Sequence, residues 1–388
     1  MRSPKTWRPE YDLRGYGAMI ADAVRMKAYH AALRRCIKPG AVVVDLGAGT
    51  GIMSLLACKL GAARVHAIEP SDVIAVGREL ARANGCADRI EFHHGSSFDV
   101  TLARKADVLV SDLRGVLPLH GQHIASIADA RARLLAPGGA QIPQRDTIRV
   151  QPVSDPKLYA ESLRIWRDGA LGLDLSPALH WAAHQTRKVD LARSRLVGTP
   201  RTLVELDYTT LEAPDVDATV DWRIAAPVTV HGIGAWFDTT LTAGVRFSNA
   251  PDKPRAIYGQ LFLPLLEPLA AKRGERLELR VAATLVGSNY VWQWDTTLRD
   301  ARGGVRAALR QSTFQAAPVN PAALGRRAAG YVPRSGPQAR AAARALALIE
   351  QGRTVEQIAA QVAAEFAGAL SAREARELVA DLCDWLGG

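Results

Sequence analysis

The chain has 388 residues, 48% hydrophobic and 23% charged, with 32 Gly and 21 Pro. At roughly 100–200 residues per domain this length predicts two or three domains, and the composition excludes collagen-like, low-complexity, coiled-coil and wholly disordered chains. Lys and Arg outnumber Asp and Glu by 49 to 39, a net charge of +10 that invites a nucleic-acid or acidic partner. Cys36, Cys58, Cys86 and Cys383 form no C-x-x-C pair and stand beside no His at ligand spacing, so neither a disulfide framework nor a metal site is expected, and a reducing cytoplasm is the default. No apolar run approaches the ~18–20 residues of a membrane span, and none follows the basic N-terminus, so the chain reads as soluble and unexported.

In chain order, an amphipathic helix is expected over residues 17 to 36, ending at Lys38-Pro39-Gly40. Ala41 to Leu46 is a short β-branched run suited to a strand buried on both faces. It leads into Gly47-Ala48-Gly49-Thr50-Gly51 and a helix over Ile52 to Leu60. The alternation repeats: strand Arg64 to Ile68, helix Val73 to Asn84, strands Ile90 to His93 and Val108 to Ser111, helix Gln122 to Leu135, then a turn at Pro137-Gly138-Gly139. This grammar predicts a parallel, doubly wound α/β sheet. After about residue 143 the segments become β-branched, aromatic and punctuated by Pro, Gly and Asp, as in an antiparallel β domain, with a helical insertion over Pro156 to Asp168 and a further helix over Ser176 to Val189. Trp292 and Trp294 alternate onto one face of a late strand and read as core. Beyond a linker at Ala316 to Pro321, helices are expected over Gln338 to Gln351, Thr354 to Phe366 and Ser371 to Trp385, the last two opened by the capping boxes Thr354-x-x-Gln357 and Ser371-x-x-Glu374. The expected domains are 1–143, 144–315 with an inserted arm at about 156–190, and 316–388.

The chemistry-bearing block is Val44-Asp45-Leu46-Gly47-Ala48-Gly49-Thr50-Gly51, followed one helix and strand later by Ile68-Glu69-Pro70. Glycines directly after a strand let the backbone approach a ligand, and a carboxylate ending the next strand can accept two ribose hydroxyls. The D-x-G-x-G-x-G spacing resembles motif I of class I S-adenosylmethionine-dependent methyltransferases rather than the dinucleotide pattern G-x-G-x-x-G. Upstream, Tyr16-Gly17-Ala18-Met19 to Arg25 and Tyr29 resembles the N-terminal helix that protein arginine methyltransferases fold over this cofactor. The resemblance, which spans roughly residues 11 to 300, implies a Rossmann-like domain followed by a β-barrel. It implies that Arg25 pairs with the methionine carboxylate, that Met19 lines the methyl pocket, that Asp45, Gly47, Gly49, Glu69 and Pro70 hold the cofactor, and that Gly95, Ser96 and Ser97 touch its adenine side. Trp166 to Ser176 resembles the arm through which that family dimerises, implying a homodimer.

The departures bear on the acceptor. The family grips its guanidinium with two glutamates after strand four and a Thr-His-Trp loop from the barrel. Here the first loop reads Ser111-Asp112-Leu113-Arg114-Gly115-Val116-Leu117-Pro118-Leu119-His120-Gly121-Gln122-His123, with Asp112 at the first glutamate and Gly121 at the second, and Pro254 to Gln260 lacks the His and Trp. A desolvated guanidinium needs paired carboxylates, so arginine is disfavoured as acceptor. Asp112, which also borders the cofactor, and His120 or His123 are the candidate catalytic groups, and Tyr11, Tyr16 and Tyr258 candidate substrate contacts.

Residues 330 to 388, above all Gly352-Arg353-Thr354-Val355-Glu356-Gln357-Ile358-Ala359, resemble the helical part of the pyrroloquinoline-quinone peptide-chaperone family, whose winged-helix-like domains bind leader segments of ribosomally made precursor peptides. That resemblance implies a precursor-peptide substrate whose leader adds as a strand to the wing. The leading expectation is therefore S-adenosylmethionine-dependent methylation of a peptide or protein at an N or O atom. Two other readings are an RNA methyltransferase or nucleic-acid-binding protein using the basic surface, and a cofactor-binding module without catalysis. Against nucleic acid, basic residues pair with acids, as in Arg373-Glu374 and Arg376-Glu377.

Overall fold

In the computed structural model, which describes residues 12–318, 320–326 and 328–386, the described chain opens on two helices, α1 (Leu13–Ala21) and α2 (Ala23–Cys36), in place of the single helix expected over 17 to 36. Asp22 makes the break. Its backbone is extended, and its carboxylate accepts from the N–H groups of Val24 and Arg25 as the N-cap of α2. Tyr29, Ala32 and Leu33 give α2 its buried face.

Strands and helices then alternate: β1 (Val42–Leu46), α3 (Ile52–Lys59), β2 (Arg64–Glu69), α4 (Ile74–Ala83), β3 (Ile90–His94), β4 (Ala106–Ser111), α5 (His123–Arg133) and β5 (Leu135–Ile142). The strands form a parallel sheet of order β3-β2-β1-β4-β5. β1 lies at its centre and is buried at every residue, which is why it is a continuous apolar run broken only by Asp45. The order reverses between β1 and β4, the place where open α/β sheets leave a crevice beyond their strand ends. Pro137-Gly138-Gly139, expected as a turn, lies inside β5. That strand is at the sheet edge, and its pairing with β4 shifts between Ala106 opposite Leu135 and Val108 opposite Ala140, so Pro137 sits where no ladder donor is required. The link from β3 to β4 carries only a single 3-10 turn, Ser97–Asp99.

The antiparallel half follows as β6 (Arg145–Val153), α6 (Pro156–Asp168), α7 (Leu179–Ala183), β7 (Arg187–Val189), β8 (Arg201–Asp207), β9 (Val216–Arg223), β10 (Val228–Thr242), β11 (Val245–Ser248), β12 (Gln260–Ala271), β13 (Arg276–Val286), β14 (Asn289–Arg299) and β15 (Val305–Ser312). One sheet runs β7-β12-β10-β6-β8 with β11 on β10, and the other β15-β14-β13-β9. The helix expected over 176 to 189 is shorter than its sequence suggested, because Arg187 to Val189 pair with Gln260 to Phe262 as an edge strand. Trp292 and Trp294 are both buried in the core. After α6 the chain loops through Gly169 to Leu173 and leaves Leu171 98% exposed.

These elements form one compact unit, and the C-terminal helices α8 (Pro321–Gly325), α9 (Pro337–Ile349), α10 (Val355–Glu365) and α11 (Ala372–Leu386) belong to another with its own core of Ala341, Ala345, Leu348, Ile358, Val362 and Val379. Both capping boxes form: Thr354 and Gln357 exchange side-chain-to-backbone bonds, as do Ser371 and Glu374. Among the described residues this unit contains no strand, so the wing of the winged-helix expectation is not found; its Ala-rich amphipathic segments form helices only. Thr354→Ala should lower the stability of this unit by about 1 kcal/mol. The readout is faster amide exchange in α9 to α11 with unchanged exchange in β1 and β4.

Candidate active site

After β1 the backbone turns through Gly47, Gly49 and Gly51 at φ of 71°, 54° and 77°, the left-handed region that glycine alone enters without strain. Asp45 shapes this turn from beneath. Its Oδ2 accepts from the N–H and the Oγ of Ser54, in the first turn of α3, at 2.9 and 2.7 Å, and burial pushes its carboxyl up to about 6. Glu69, ending β2, stands against the turn: Oε2 accepts from the N–H of Gly49 at 2.9 Å, and Oε1 from the N–H and Oγ of Ser71 at 3.0 and 2.6 Å. A carboxylate has about four acceptor directions, so one stays open. Pro70 follows, and the N–H of Gly95 donates to the Glu69 carbonyl at 3.1 Å. Ser96 caps the next turn by accepting from the N–H of Phe98, while the Ser97 carbonyl accepts from Arg133. Gly47, Gly49, Glu69, Pro70, Gly95, Ser96 and Ser97 thus gather at the C-terminal ends of β1, β2 and β3. A Cβ on Gly47 would collide with Leu113, and one on Gly49 would stand 2.6 Å from the Tyr16 ring, so α1 and the loop after β4 close over the glycines.

Arg25 faces Asp112. Its Nε donates to Asp112 Oδ2 at 2.5 Å and Nη1 to the Met19 carbonyl at 3.1 Å. Burial works against the Arg25 charge, but Asp112 outweighs it and holds the guanidinium above its ordinary range. Asp112 also accepts from Arg114 Nη1 on Oδ1 at 3.0 Å and from the Tyr258 hydroxyl on Oδ2 at 2.7 Å. Burial alone would raise the Asp112 carboxyl; Arg25, Arg114 and Tyr258 keep it below the usual carboxylate range. Arg114, whose side chain is wholly buried, reaches on to Asp146 on β6 through Nε and Nη2 at 2.6 and 2.9 Å, a bidentate pair. It also donates to Thr239 and to the Tyr29 hydroxyl, each at 2.8 Å, and lies over the Phe237 ring.

The two histidines separate. His120 packs its ring over Gly115 at the half-buried end of the loop. His123 is 1% exposed and stands behind Asp112 at the far end of the network. Its Nε2 is 3.0 Å from the Tyr208 hydroxyl, which donates to Asp146 at 2.7 Å. Tyr208 has one hydroxyl proton, so His123 donates from Nε2 and carries its lone pair on Nδ1, a buried atom with no hydrogen-bond partner. Burial, and next Arg114, push this imidazole down to about 3. His123 is therefore a supporting group that no acceptor can reach, contrary to its expected role as base. Tyr258, expected as a substrate contact, donates to Asp112 within the network, Tyr16 covers Gly49, and Tyr11 lies outside the described residues. Asp146, Tyr208, Tyr29 and Thr239 were not foreseen. The available signal was Asp146 itself, an acid sharing the strand alternation of Ile148 and Val150 and so requiring a buried cation.

Comparison with known proteins fits this architecture. The family model "Arginine methyltransferase oligomerization subdomain" matches residues 144–292, and that of "Ribosomal protein L11 methyltransferase (PrmA)" matches 29–142. A probable histone-arginine methyltransferase CARM1 of Oryza sativa subsp. indica is 34% identical over 280 residues, 68% of this chain and 53% of its own length. The chain is similar to protein arginine methyltransferases in both halves of this fold. A probable protein arginine N-methyltransferase 6 of Arabidopsis thaliana is 31% identical over 247 residues, 61% of this chain and 55% of its own length, so the chain spans about half the length of these curated relatives. Among solved structures, the Trypanosoma brucei PRMT1 enzyme-prozyme heterotetrameric complex with AdoHcy has 25% identity and a TM-score of 0.69, covering 76% of this chain and 97% of that one. Arabidopsis thaliana protein arginine methyltransferase 10 shares the fold, with a TM-score of 0.68 at 21% identity over 78% of this chain and 97% of its own.

Burial holds the His123 imidazole neutral when folded, and it charges near 6.5 when unfolded. The unfolded chain therefore binds more protons as pH falls from about 6.5 towards 3, and stability drops in that window. His123→Gln should flatten this part of the stability profile, measured as urea midpoints between pH 7 and pH 4.

Proposed function

We propose that this chain is an S-adenosylmethionine-dependent methyltransferase acting on a peptide or protein side chain other than an arginine guanidinium. The observation that carries the acceptor half is that Asp112 is already paired with two cations, Arg25 and Arg114, and accepts from Tyr258. A substrate guanidinium would bring a third cation to one carboxylate already shared by two, and Gly121 supplies no second one. Gly121 also sits at φ 49°, where a glutamate would be strained. The relatives are named for arginine, and this departure from them rests on those local replacements.

For the cofactor, the bare glycine turn, the remaining acceptor direction of Glu69 and the guanidinium of Arg25 fit a ribosyl sulfonium amino acid. Glu69 would take ribose hydroxyls, Arg25 the methionine carboxylate, and Gly95 to Ser97 the adenine side. Bound there, S-adenosylmethionine supplies a methyl group already activated by its sulfonium. What the chain itself adds is alignment and exclusion of water by α1 and α2. Asp112 is a weak base because its cations hold it ionised, and burial raises the hydroxyls of Tyr29 and Tyr258, which remain donors. An acceptor that arrives already nucleophilic suits this site: a carboxylate or a neutral imidazole. The exposed loop at Leu171 and Leu173, within the matched oligomerization subdomain, supports a homodimer. The precursor-peptide expectation relied on a wing strand, and among the described residues the C-terminal unit has none.

Transfer of labelled methyl from S-adenosylmethionine to peptide arrays tests the acceptor. Label on Glu, Asp or His peptides is expected; methylarginine in the acid hydrolysate would overturn that assignment. Separately, Glu69→Ala should weaken cofactor binding at least about tenfold by calorimetry. Unchanged affinity would remove the cofactor assignment.

A further inference from the structure

Spacing along the chain conceals one cluster of possible metal ligands, because His66 lies a whole helix away from Glu91 and His93. Pairing of β2 with β3 sets His66 opposite Glu91, and the two-residue side-chain period puts His93 on the same face. We propose that His66, Glu91 and His93 form a site for a divalent first-row transition metal of the zinc type, separate from the cofactor crevice. The His66 Nδ1 and His93 Nε2 atoms lie 3.1 Å apart; Glu91 Oε2 is 3.5 Å from the first, and Oε1 3.7 Å from the second. Two imidazole nitrogens at the usual ~2.0–2.1 Å from one tetrahedral or octahedral ion stand roughly 2.9–3.4 Å apart, so the ring nitrogens already hold a ligating separation.

The chemistry of the donors agrees. Imidazole nitrogens with a carboxylate are a donor set that first-row divalent ions accept. Access is open on the solvent side: the side chains of His66 and His93 are 12% and 20% exposed and that of Glu91 43%. β3 is an edge strand, and its link to β4 holds only the 3-10 turn, so that connection supplies no crossover helix. Arg64 shares the face and competes, since its Nη2 donates to Glu91 Oε2 at 2.9 Å. Two imidazoles and one carboxylate leave at least one position for water, and an ion there would pin the edge strand to β2.

The test uses tag-free, chelator-stripped full chain titrated with Zn2+ by calorimetry and with Co2+ by visible absorption. Expected are one equivalent bound at micromolar or tighter affinity, a Co2+ ligand-field band, and a Zn2+-dependent rise in melting temperature. His66→Ala and the milder His93→Gln, each shown to be folded by circular dichroism, should each weaken binding about tenfold or more and abolish the melting shift. Arg64→Ala, which frees the carboxylate, should tighten it several-fold. No binding below millimolar Zn2+, or one-equivalent binding unchanged in both histidine variants, would overturn the site.

Discussion

The site depends on one chain of alternating buried charges, Arg25–Asp112–Arg114–Asp146. Four ions withdrawn from water are tolerable only because each is neutralised and its remaining hydrogen-bonding directions are used, by Tyr258, Tyr29, Thr239 and Tyr208. The chain ties α2 to the loop after β4, and that loop to β6 and β10, so it joins the cofactor-binding half to the barrel. It also uses up the carboxylate on which the proposed acceptor reading rests. Asp112 is shared internally between Arg25 and Arg114 rather than left open to the crevice.

Much of the fold was legible because the signals were local or periodic. The β-branched run of β1, the glycine turn, the two capping boxes and the paired tryptophans of β14 each name their structure within a short window. The failures share a cause, which is long-range pairing. Arg187 to Val189 become a strand only because β12 lies beside them, and Pro137 is admitted to β5 only because that strand is an edge. Asp22 breaks the first helix by a cap that residue 22 could have announced and the amphipathic pattern concealed.

At the site, the glycines and Glu69 could be found from spacing and topology, whereas partners could not. Arg25 was expected to meet a ligand carboxylate, and in the structure its partner is Asp112. His123 opens α5 at the buried end of that loop, where Tyr208, just past β8, and Asp146 on β6 come from 85 and 23 residues away. A loop sequence states which functional groups are available; which of them faces solvent is settled by elements outside it.

Asp22 carries one more consequence. One carboxylate oxygen holds the start of α2, and the other accepts the N–H of Ile257 at 2.8 Å, next to Tyr258. Tyr258 touches Asp112, Asp112 touches Arg25, and Arg25 returns to Asp22 along α2. The contacts close into a hoop that includes both the helix over the cofactor crevice and the barrel wall of the acceptor side. Such a hoop makes the placement of α2 and of the loop before β12 interdependent, because each is fixed by bonds that run through the other.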